Sequence, residues 1–282
     1  MIKTPLSTVI GGAFWTPSAT ILGGTSKTFN QLIKSLFANN EQGFFYDPND
    51  LTTMFQDSAG TIPVTGAGQP VGLIKDKSGR GNHARQTNSA SRPILRQNSS
   101  TGAYYLEFDG GDDFLQTSNI DFTATDKVSL FAGVRKLSDA ATGIVCELST
   151  SVSNVGTFNL KAPHGAATNF GSESGGSIPY AALCVASGYA SPIAKVLAVT
   201  NNISGKQSIF RVNSVQAASS VANQGVGNYG NYPLYIGRRG GASFPFNGHI
   251  YSLIGVGRLT TNDETTAIEK ELAKRTGVTL SV

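Results

Sequence analysis

Short segments with strand character recur along most of this chain, from about residue 44 onward. KVSLFAGVRK and KQSIFRVNS, for example, alternate apolar and polar positions or are rich in β-branched and aromatic residues. The segments between them are rich in Gly, Asn, Ser and Asp, which turns favour. The pattern predicts an all-β fold with strands at 104–108, 128–134, 143–148, 194–200, 207–212, 234–236 and 249–256.

Three long polar stretches interrupt this series, at 57–103, 149–180 and 213–232. Because they exceed ordinary hairpin loops, we expect them at the ends of a β-sandwich. Binding residues concentrate on such loops, so these stretches are candidate ligand sites.

A segment near the N-terminus has the period of a helix instead. Its apolar residues fall at i, i+3, i+4, i+7 and i+8, and they are Phe29, Leu32, Ile33, Leu36 and Phe37. Ser26 or Thr28 can cap its start, and Asn39-Asn40 with Gly43 can end it. The apolar face can pack on its own domain or dock on a partner chain, and the pattern leaves both open.

A second helix is predicted close to the C-terminus. Thr261 and Glu264 have the spacing of a capping box, and Gly277 stands where a helix-ending glycine belongs. Ile268 and Leu272 form an apolar pair one turn apart. Since the apolar face of this helix is narrow, we expect the helix to lie on the surface of the sandwich.

Composition and charge narrow the function classes. With 33 Gly, 11 Pro and 14% charged residues in 282, the chain is not a helical bundle, while 39% hydrophobic residues can build a core. The net charge of +4 comes from scattered basic residues, which argues against nucleic-acid binding. Apolar runs fall short of a bilayer span, so we expect no membrane insertion. Cys146 and Cys184 lie in apolar runs and are predicted to be buried free thiols.

Two stretches, 43–116 and 234–278, carry more specific motifs. DKSGRGNHA (76–84) matches a D-x-S-G-x-G-N-H-A turn, FDGGDDFL (108–115) matches a strand entry, and FNGHI (246–250) precedes the C-terminal helix. They resemble the concanavalin A-like, laminin G-type jelly-roll modules of bacteriophage virion proteins. The resemblance covers 43–279 and implies an antiparallel two-sheet jelly-roll. Residues 1–42 then form a separate anchoring arm with the short helix, ahead of a domain at 43–282.

These motifs are mostly architectural. Gly79, Gly81 and Asn82 favour tight turns, and His83 is a hydrogen-bonded turn residue rather than a catalyst. Phe108, Phe114 and Leu115 are predicted to pack in the hydrophobic core. The densest carboxylate cluster can cap a turn or, as in some laminin G-type relatives, hold Ca²⁺, and its members are Asp109, Asp112 and Asp113. Turn capping is the favoured interpretation, and no other cofactor is predicted.

Known catalytic patterns are missing from the sequence. The related glucanases place carboxylates on one strand as E-x-D-x-x-E, but here Glu107 and Asp109 are followed by two glycines and Asp112. Glu147 and Glu173 are isolated in the sequence, and the chain has no HExxH, G-x-S-x-G, P-loop or CxxC motif. We therefore expect no enzymatic activity.

A lectin-like role rests on the loop VGNYGNYPL and the arginines after it. Sugar sites combine aromatic faces with amide and charged groups, and the candidates are Asn228, Tyr229, Asn231, Tyr232 and Arg238.

The function implied is a non-enzymatic phage virion protein that is assembled in the host cytoplasm and displays the jelly-roll on the particle. The residues predicted to anchor it to other virion proteins are Phe14, Trp15, Phe29, Leu32, Ile33, Leu36 and Phe37. A homo-oligomer, with a trimer as the expected state, fits such display. The alternatives are a receptor-binding protein for host surface polysaccharide and, less favoured, a glycan depolymerase.

Overall fold

The strand segments pair into two antiparallel sheets in the computed structural model, which describes residues 28–281. In chain order the elements are α1 (Phe29–Leu36), β1 (Gly43–Tyr46), β2 (Met54–Phe55), β3 (Leu73–Ile74), β4 (Ala84–Arg85), β5 (Ile94–Gln97), β6 (Tyr104–Asp109), β7 (Leu115–Asp121), β8 (Lys127–Lys136), β9 (Ile144–Leu148), β10 (Thr157–Lys161), β11 (Asn169–Gly175), β12 (Ala182–Ser187), β13 (Ile193–Asn202), β14 (Gln207–Val212), β15 (Val215–Ser220), β16 (Asn231–Ile236), β17 (Asn247–Val256) and α2 (Asn262–Thr276). All seven predicted strands are present.

Sheet 1 has the strand order β15-β14-β13-β8-β17-β6-β5, and β1 pairs with the second half of β17. Sheet 2 has the order β12-β11-β10-β9-β16-β7-β4-β3-β2. Alternate residues of the two sheets point between them and form one hydrophobic core, which includes Phe108, Phe158, Phe210 and Ile250. The predicted all-β, two-sheet sandwich is therefore confirmed.

The D-x-S-G-x-G-N-H-A turn ties the loop after β3 to β1. Both carboxylate oxygens of Asp76 accept hydrogen bonds, Oδ1 from the backbone N–H of Phe45 (2.9 Å) and Oδ2 from that of Asn82 (3.0 Å). Asn82 Nδ2 in turn donates to the carbonyl of Gly43 at 2.7 Å. His83 Nδ1 accepts from the Asp76 N–H at 3.1 Å, so His83 is the predicted turn residue.

The apolar face of α1 is used within the chain. Thr28 caps the helix, since its hydroxyl accepts from the Gln31 N–H. Ile33, Leu36 and Phe37 are buried and belong to the same compact unit as the sandwich. The sequence leaves two alternatives open for this face, and these three residues follow the first. They pack on their own domain, because β1 and the end of β17 need an apolar cover. Their side chains are thus buried within this chain, and their role as anchoring residues stays a prediction.

Four further residues are predicted to anchor the protein. Phe29 is half-buried and Leu32 is buried. Phe14 and Trp15 lie outside the described residues, and their anchoring role stays a prediction.

The C-terminal helix α2 matches its prediction closely. Thr261 and Glu264 form the capping box, and Gly277 adopts the left-handed conformation with φ of 74°. Ile268 and Leu272 are fully buried because α2 packs across β13, β8 and β17 on the outer face of sheet 1. That sheet is thus covered by a helix, whereas within residues 28–281 sheet 2 is covered by loops.

Cys146 and Cys184 are free thiols buried in the core, as predicted. Burial raises the pKa of Cys184 to about 11. Among the described residues, no helix is long and apolar enough to cross a membrane.

Candidate functional site

A row of polar side chains crosses the outer face of sheet 2. Directly paired residues lie on the same face of an antiparallel sheet, and the pairing runs through Glu173, Asn159, Glu147, Tyr235, Gln116 and Arg85. Their sequence neighbours Cys146, Phe158 and Leu234 point into the core. The row therefore faces away from the core, and two different environments meet along it.

Glu173 is the centre of the first environment, a buried charged cluster. Its Oε2 lies 2.7 Å from Lys161 Nζ and accepts a 3.0 Å hydrogen bond from Asn159 Nδ2, while Oε1 lies 3.3 Å from His164 Nε2. Burial alone would raise the pKa of Glu173, but His164, Lys161 and Asn159 outweigh it and hold the pKa at about 2. Glu173 is thus an anion at any ordinary pH.

The loop after β10 covers this cluster. His164 folds back over Gly171 of β11, where an added Cβ would lie only 2.6 Å from the His164 Cβ. Only glycine at position 171 leaves room for the His164 imidazole, and the imidazole can therefore reach Glu173.

Glu147 is covered separately, by the hairpin after β16. Arg239 Nε lies 2.9 Å and 3.0 Å from the two Glu147 oxygens, and its guanidinium packs over the Phe244 ring. Burial of Glu147, which is 0% exposed, raises its pKa even though Arg239 and Lys161 act in the opposite direction.

The two glutamates resemble an acid and base pair in one respect, because their surroundings move their pKa values in opposite directions. They come from β9 and β11 and are separated by Asn159 of β10, so they are not isolated in space as they are in the sequence. Both are nonetheless largely buried, and their oxygens are already bound by protein groups. Glu107, from the incomplete glucanase motif, lies on the opposite sheet and pairs with Arg96.

The second environment is an open cavity of about 290 Å³ over β4 and β7. Gln116 and Ser118 of β7 and Phe114, which directly precedes that strand, line one side of it, and Arg85 of β4 and Thr87, just after that strand, line the other. β4 contributes only one residue pair to β7, Arg85 with Gln116, and then diverges. The cavity occupies the space that this divergence opens.

The cavity also explains one wrong prediction. Phe108 and Leu115 are in the core as expected, but Phe114 is half-buried on the outer face. Its ring packs against the β16 hairpin, where a Cβ on Gly241 would lie 2.8 Å from Phe114 Cζ. Phe114 is outside because Leu115, the next residue, takes the inward position of the strand.

The predicted sugar residues do not form one site. Tyr229 is 1% exposed and packs edge-on against Phe158, with its hydroxyl 2.8 Å from Ser174 Oγ, so its ring offers no face to a ligand. Asn231 and Arg238 flank opposite ends of β16, roughly 20 Å apart at about 3.3 Å per residue.

The other two predicted sugar residues serve the loop itself. Asn228 Nδ2 donates to the Thr123 carbonyl at 2.6 Å, and the Tyr232 hydroxyl donates to the Val155 carbonyl at 3.2 Å. Both remain accessible enough to contact a ligand, but they lie at the end of the sandwich away from the cavity.

The three aspartates for which the sequence favours turn capping over calcium binding do bond within turns. Asp109 Oδ1 accepts from the Gly111 N–H (2.7 Å), Asp113 Oδ2 from the Asp109 N–H (3.2 Å), and Asp112 from the Ser91 hydroxyl. Within residues 28–281, no three His, Cys, Asp or Glu side chains converge as a metal site requires. Burial and the neighbouring carboxylates raise the pKa of Asp113 to about 6.

Comparison with known proteins gives a fold but no family. No family model and no curated protein sequence matches this chain. A crystal structure of an arabinofuranosidase complexed with arabinofuranosyl-α-1,2-xylobiose is similar, with a TM-score of 0.59 and 12% identity over 86% of this chain. The serotype D botulinum neurotoxin ligand-binding domain, in complex with N-acetylneuraminic acid, has a TM-score of 0.53 and 12% identity over 79% of this chain. Trypanosoma rangeli sialidase has a TM-score of 0.52 and 12% identity over 84%.

This chain spans 65%, 51% and 33% of those three chains, respectively. At such low identity the similarity shows the fold alone, an antiparallel two-sheet β-sandwich of the jelly-roll type.

Proposed function

We propose that this protein is a non-enzymatic glycan-binding module whose ligand site is the cavity on the outer face of sheet 2. The observation that carries the proposal is the cavity's lining. It combines an aromatic ring, Phe114, with the amide of Gln116, the guanidinium of Arg85 and the hydroxyls of Thr87 and Ser118. Sugars are recognised by this combination, because an aromatic ring covers their apolar face while polar groups bond to their hydroxyls.

The fold supports the same proposal. Two of the similar structures hold a sugar, according to their descriptions: the arabinofuranosidase and the neurotoxin domain. Those ligands belong to those proteins, and the proposal for this chain rests on its own cavity.

A glycan array probed with the full chain tests the proposal. We expect binding to at least one saccharide, and we expect Gln116→Ala and Phe114→Ala each to weaken it at least tenfold, since each removes a direct contact. Gln97→Ala is the matched control for the glutamine, because Gln97 is exposed on sheet 1 and far from the cavity.

Tyr232→Ala separates this site from the one predicted by the sequence. If Tyr232→Ala abolishes binding and the cavity variants do not, the ligand site is the loop at the end of the sandwich. A blank array for the intact protein would overturn glycan binding altogether.

The non-enzymatic part of the proposal is supported by the closed state of Glu147 and Glu173. We expect no release of oligosaccharide from any polysaccharide that the array identifies, as measured by reducing-end assay. Release that disappears in Glu147→Gln or Glu173→Gln, with the fold retained, would make the protein a hydrolase instead.

We further propose that this module is displayed on a phage particle as an oligomer and is attached through its N-terminal segment. The support is the motif resemblance at 76–84, 108–115 and 246–250. Deleting residues 1–27 spares α1 and should abolish incorporation into particles, as measured by particle mass spectrometry. Normal incorporation of the truncated chain would refute the attachment, and light scattering of the intact protein gives its oligomeric state.

A further inference from the structure

We infer that the ligand of the cavity is an acidic glycan, with the Arg85 guanidinium binding a sugar carboxylate. This inference rests on the proposed glycan site and specifies its ligand class. It begins from the charge of the cavity, since Arg85 is the one charged residue among its lining side chains.

Arg85 is held in place but is left with unused donors. Its Nη1 donates to the Ser58 carbonyl at 2.7 Å, which fixes one edge of the guanidinium to the protein. Across the described chain, no carboxylate forms an ion pair with Arg85, in contrast to Arg96, Arg211 and Arg239. A planar guanidinium anchored on one edge presents its remaining N–H groups for paired hydrogen bonds with a carboxylate.

The surroundings of the cavity are basic as well. Arg92 Nε donates to the Gln86 carbonyl and Nη2 to the Thr87 carbonyl, both at 3.1 Å, so a second guanidinium lies directly behind the cavity wall. Lys75 follows β3 and packs over the Phe55 ring. Asp112, which bonds to Ser91 beside Arg92, is the carboxylate on the neighbouring turn. Lys75 lies outside the cavity lining, so two guanidinium groups remain at the cavity, Arg85 in its lining and Arg92 behind it, and they favour an anionic ligand over a neutral one.

Binding to matched saccharide pairs tests this inference. The probes are oligogalacturonate against its carboxyl-reduced form and sialyllactose against lactose, with dextran sulfate as a non-carboxylate polyanion. We expect the carboxylated member of at least one pair to bind ten times more tightly or better, with an affinity that falls as salt is added. Isothermal titration calorimetry of the full chain gives both quantities.

Two variants of Arg85 locate the effect. Arg85→Gln should weaken binding of the carboxylated member at least five times more than binding of the neutral member, so that the preference falls to within about twofold. Arg85→Lys should keep part of the preference, because a point charge replaces the planar pair of donors. Arg135→Gln is the matched control, since Arg135 is an exposed arginine of sheet 1, and it should leave both affinities unchanged.

The outcomes separate this inference from the proposed function. Equal binding of acidic and neutral members, or binding of dextran sulfate as tight as that of the carboxylated sugar, overturns the inference but leaves glycan binding intact. A preference that survives Arg85→Gln overturns the assigned residue. Binding of no saccharide on the array or among these probes overturns both.

Discussion

Replacing Glu173 by Gln perturbs the buried cluster on sheet 2 with almost no change in shape. The variant keeps the side chain's size and its neutral hydrogen bonds, but it removes the negative charge that faces Lys161 and His164. Lys161 is itself only 5% exposed, so its ammonium loses its ion pair without gaining water. Breaking a buried pair from one side is costly, because the remaining charge stays buried.

The magnitude follows from the pKa of the carboxyl group. Its ordinary value is 4.5, and in the folded protein it is about 2. At about 1.4 kcal/mol per pKa unit, this depression corresponds to about 3 kcal/mol of folding free energy. Because the folded pKa is the lower one, the stabilisation is complete above the unfolded pKa and is lost as the pH falls toward 2.

Urea unfolding of the wild type and of Glu173→Gln measures this directly. At pH 7 we expect the variant to be less stable by about 3 kcal/mol, and at pH 3 by only about 1.4 kcal/mol. Glu271→Gln is the control, because Glu271 pairs with the exposed Lys274 on α2 and should cost under about 0.5 kcal/mol. A difference below about 1 kcal/mol at pH 7, or one that does not shrink at pH 3, would refute the reasoning.

Three further predictions use other parts of the sandwich. Asp113→Asn should stabilise the protein at pH 7 by at most about 3 kcal/mol. The pKa of Asp113 is raised to about 6, so the wild-type protein loses stability as the pH rises from 4 to 6. Urea unfolding at pH 4 and at pH 6 checks this prediction. Gly248→Ala should destabilise by at least about 2 kcal/mol, since its Cβ would lie 2.3 Å from a backbone oxygen of β8, whereas Gly66→Ala meets open space and serves as its control in the same assay. Cys146 and Cys184 should resist iodoacetamide in the native protein and react fully in guanidinium chloride, as intact mass spectrometry will show; rapid native labelling would contradict their burial.

The sequence predicts the strands of sheet 1 better than those of sheet 2. β8, β13, β14 and β17 have one apolar face and clear boundaries, and each was expected within about three residues. By contrast, β10 and β11 read as polar loop within the stretch 149–180. β10 does alternate, with Phe158 and Leu160 inward and Asn159 and Lys161 outward, but it is only five residues long. β11 has no such alternation, because Ser172 and Ser174 take inward positions.

The candidate site could not be assembled from the sequence for a related reason. Arg85 and Gln116 are 31 positions apart, and no local spacing joins them; they meet only through the single pairing of β4 with β7. The one available signal is the alternation of Phe114, Gln116 and Ser118, which would have predicted a strand presenting one outward face. The turn motifs were predictable because each is local, as the Asp76 hydrogen bonds show.

The way each sheet is covered explains why a ligand site arises where it does. On sheet 1, α2 lies across the central strands and buries Ile268 and Leu272 against them, and a cavity of about 270 Å³ remains beside the helix, next to Thr200 and Ile209. On sheet 2, among the described residues, the loop after β10 and the hairpin after β16 lie over part of the row, and each contacts it through one of the glutamates, His164 with Glu173 and Arg239 with Glu147. Neither loop extends over β4 and β7, so the polar row that is closed over β9 to β11 stays open there. A change in the Arg239–Glu147 contact should therefore act on the cavity, because the hairpin that carries Arg239 approaches Phe114, a lining residue, at Gly241.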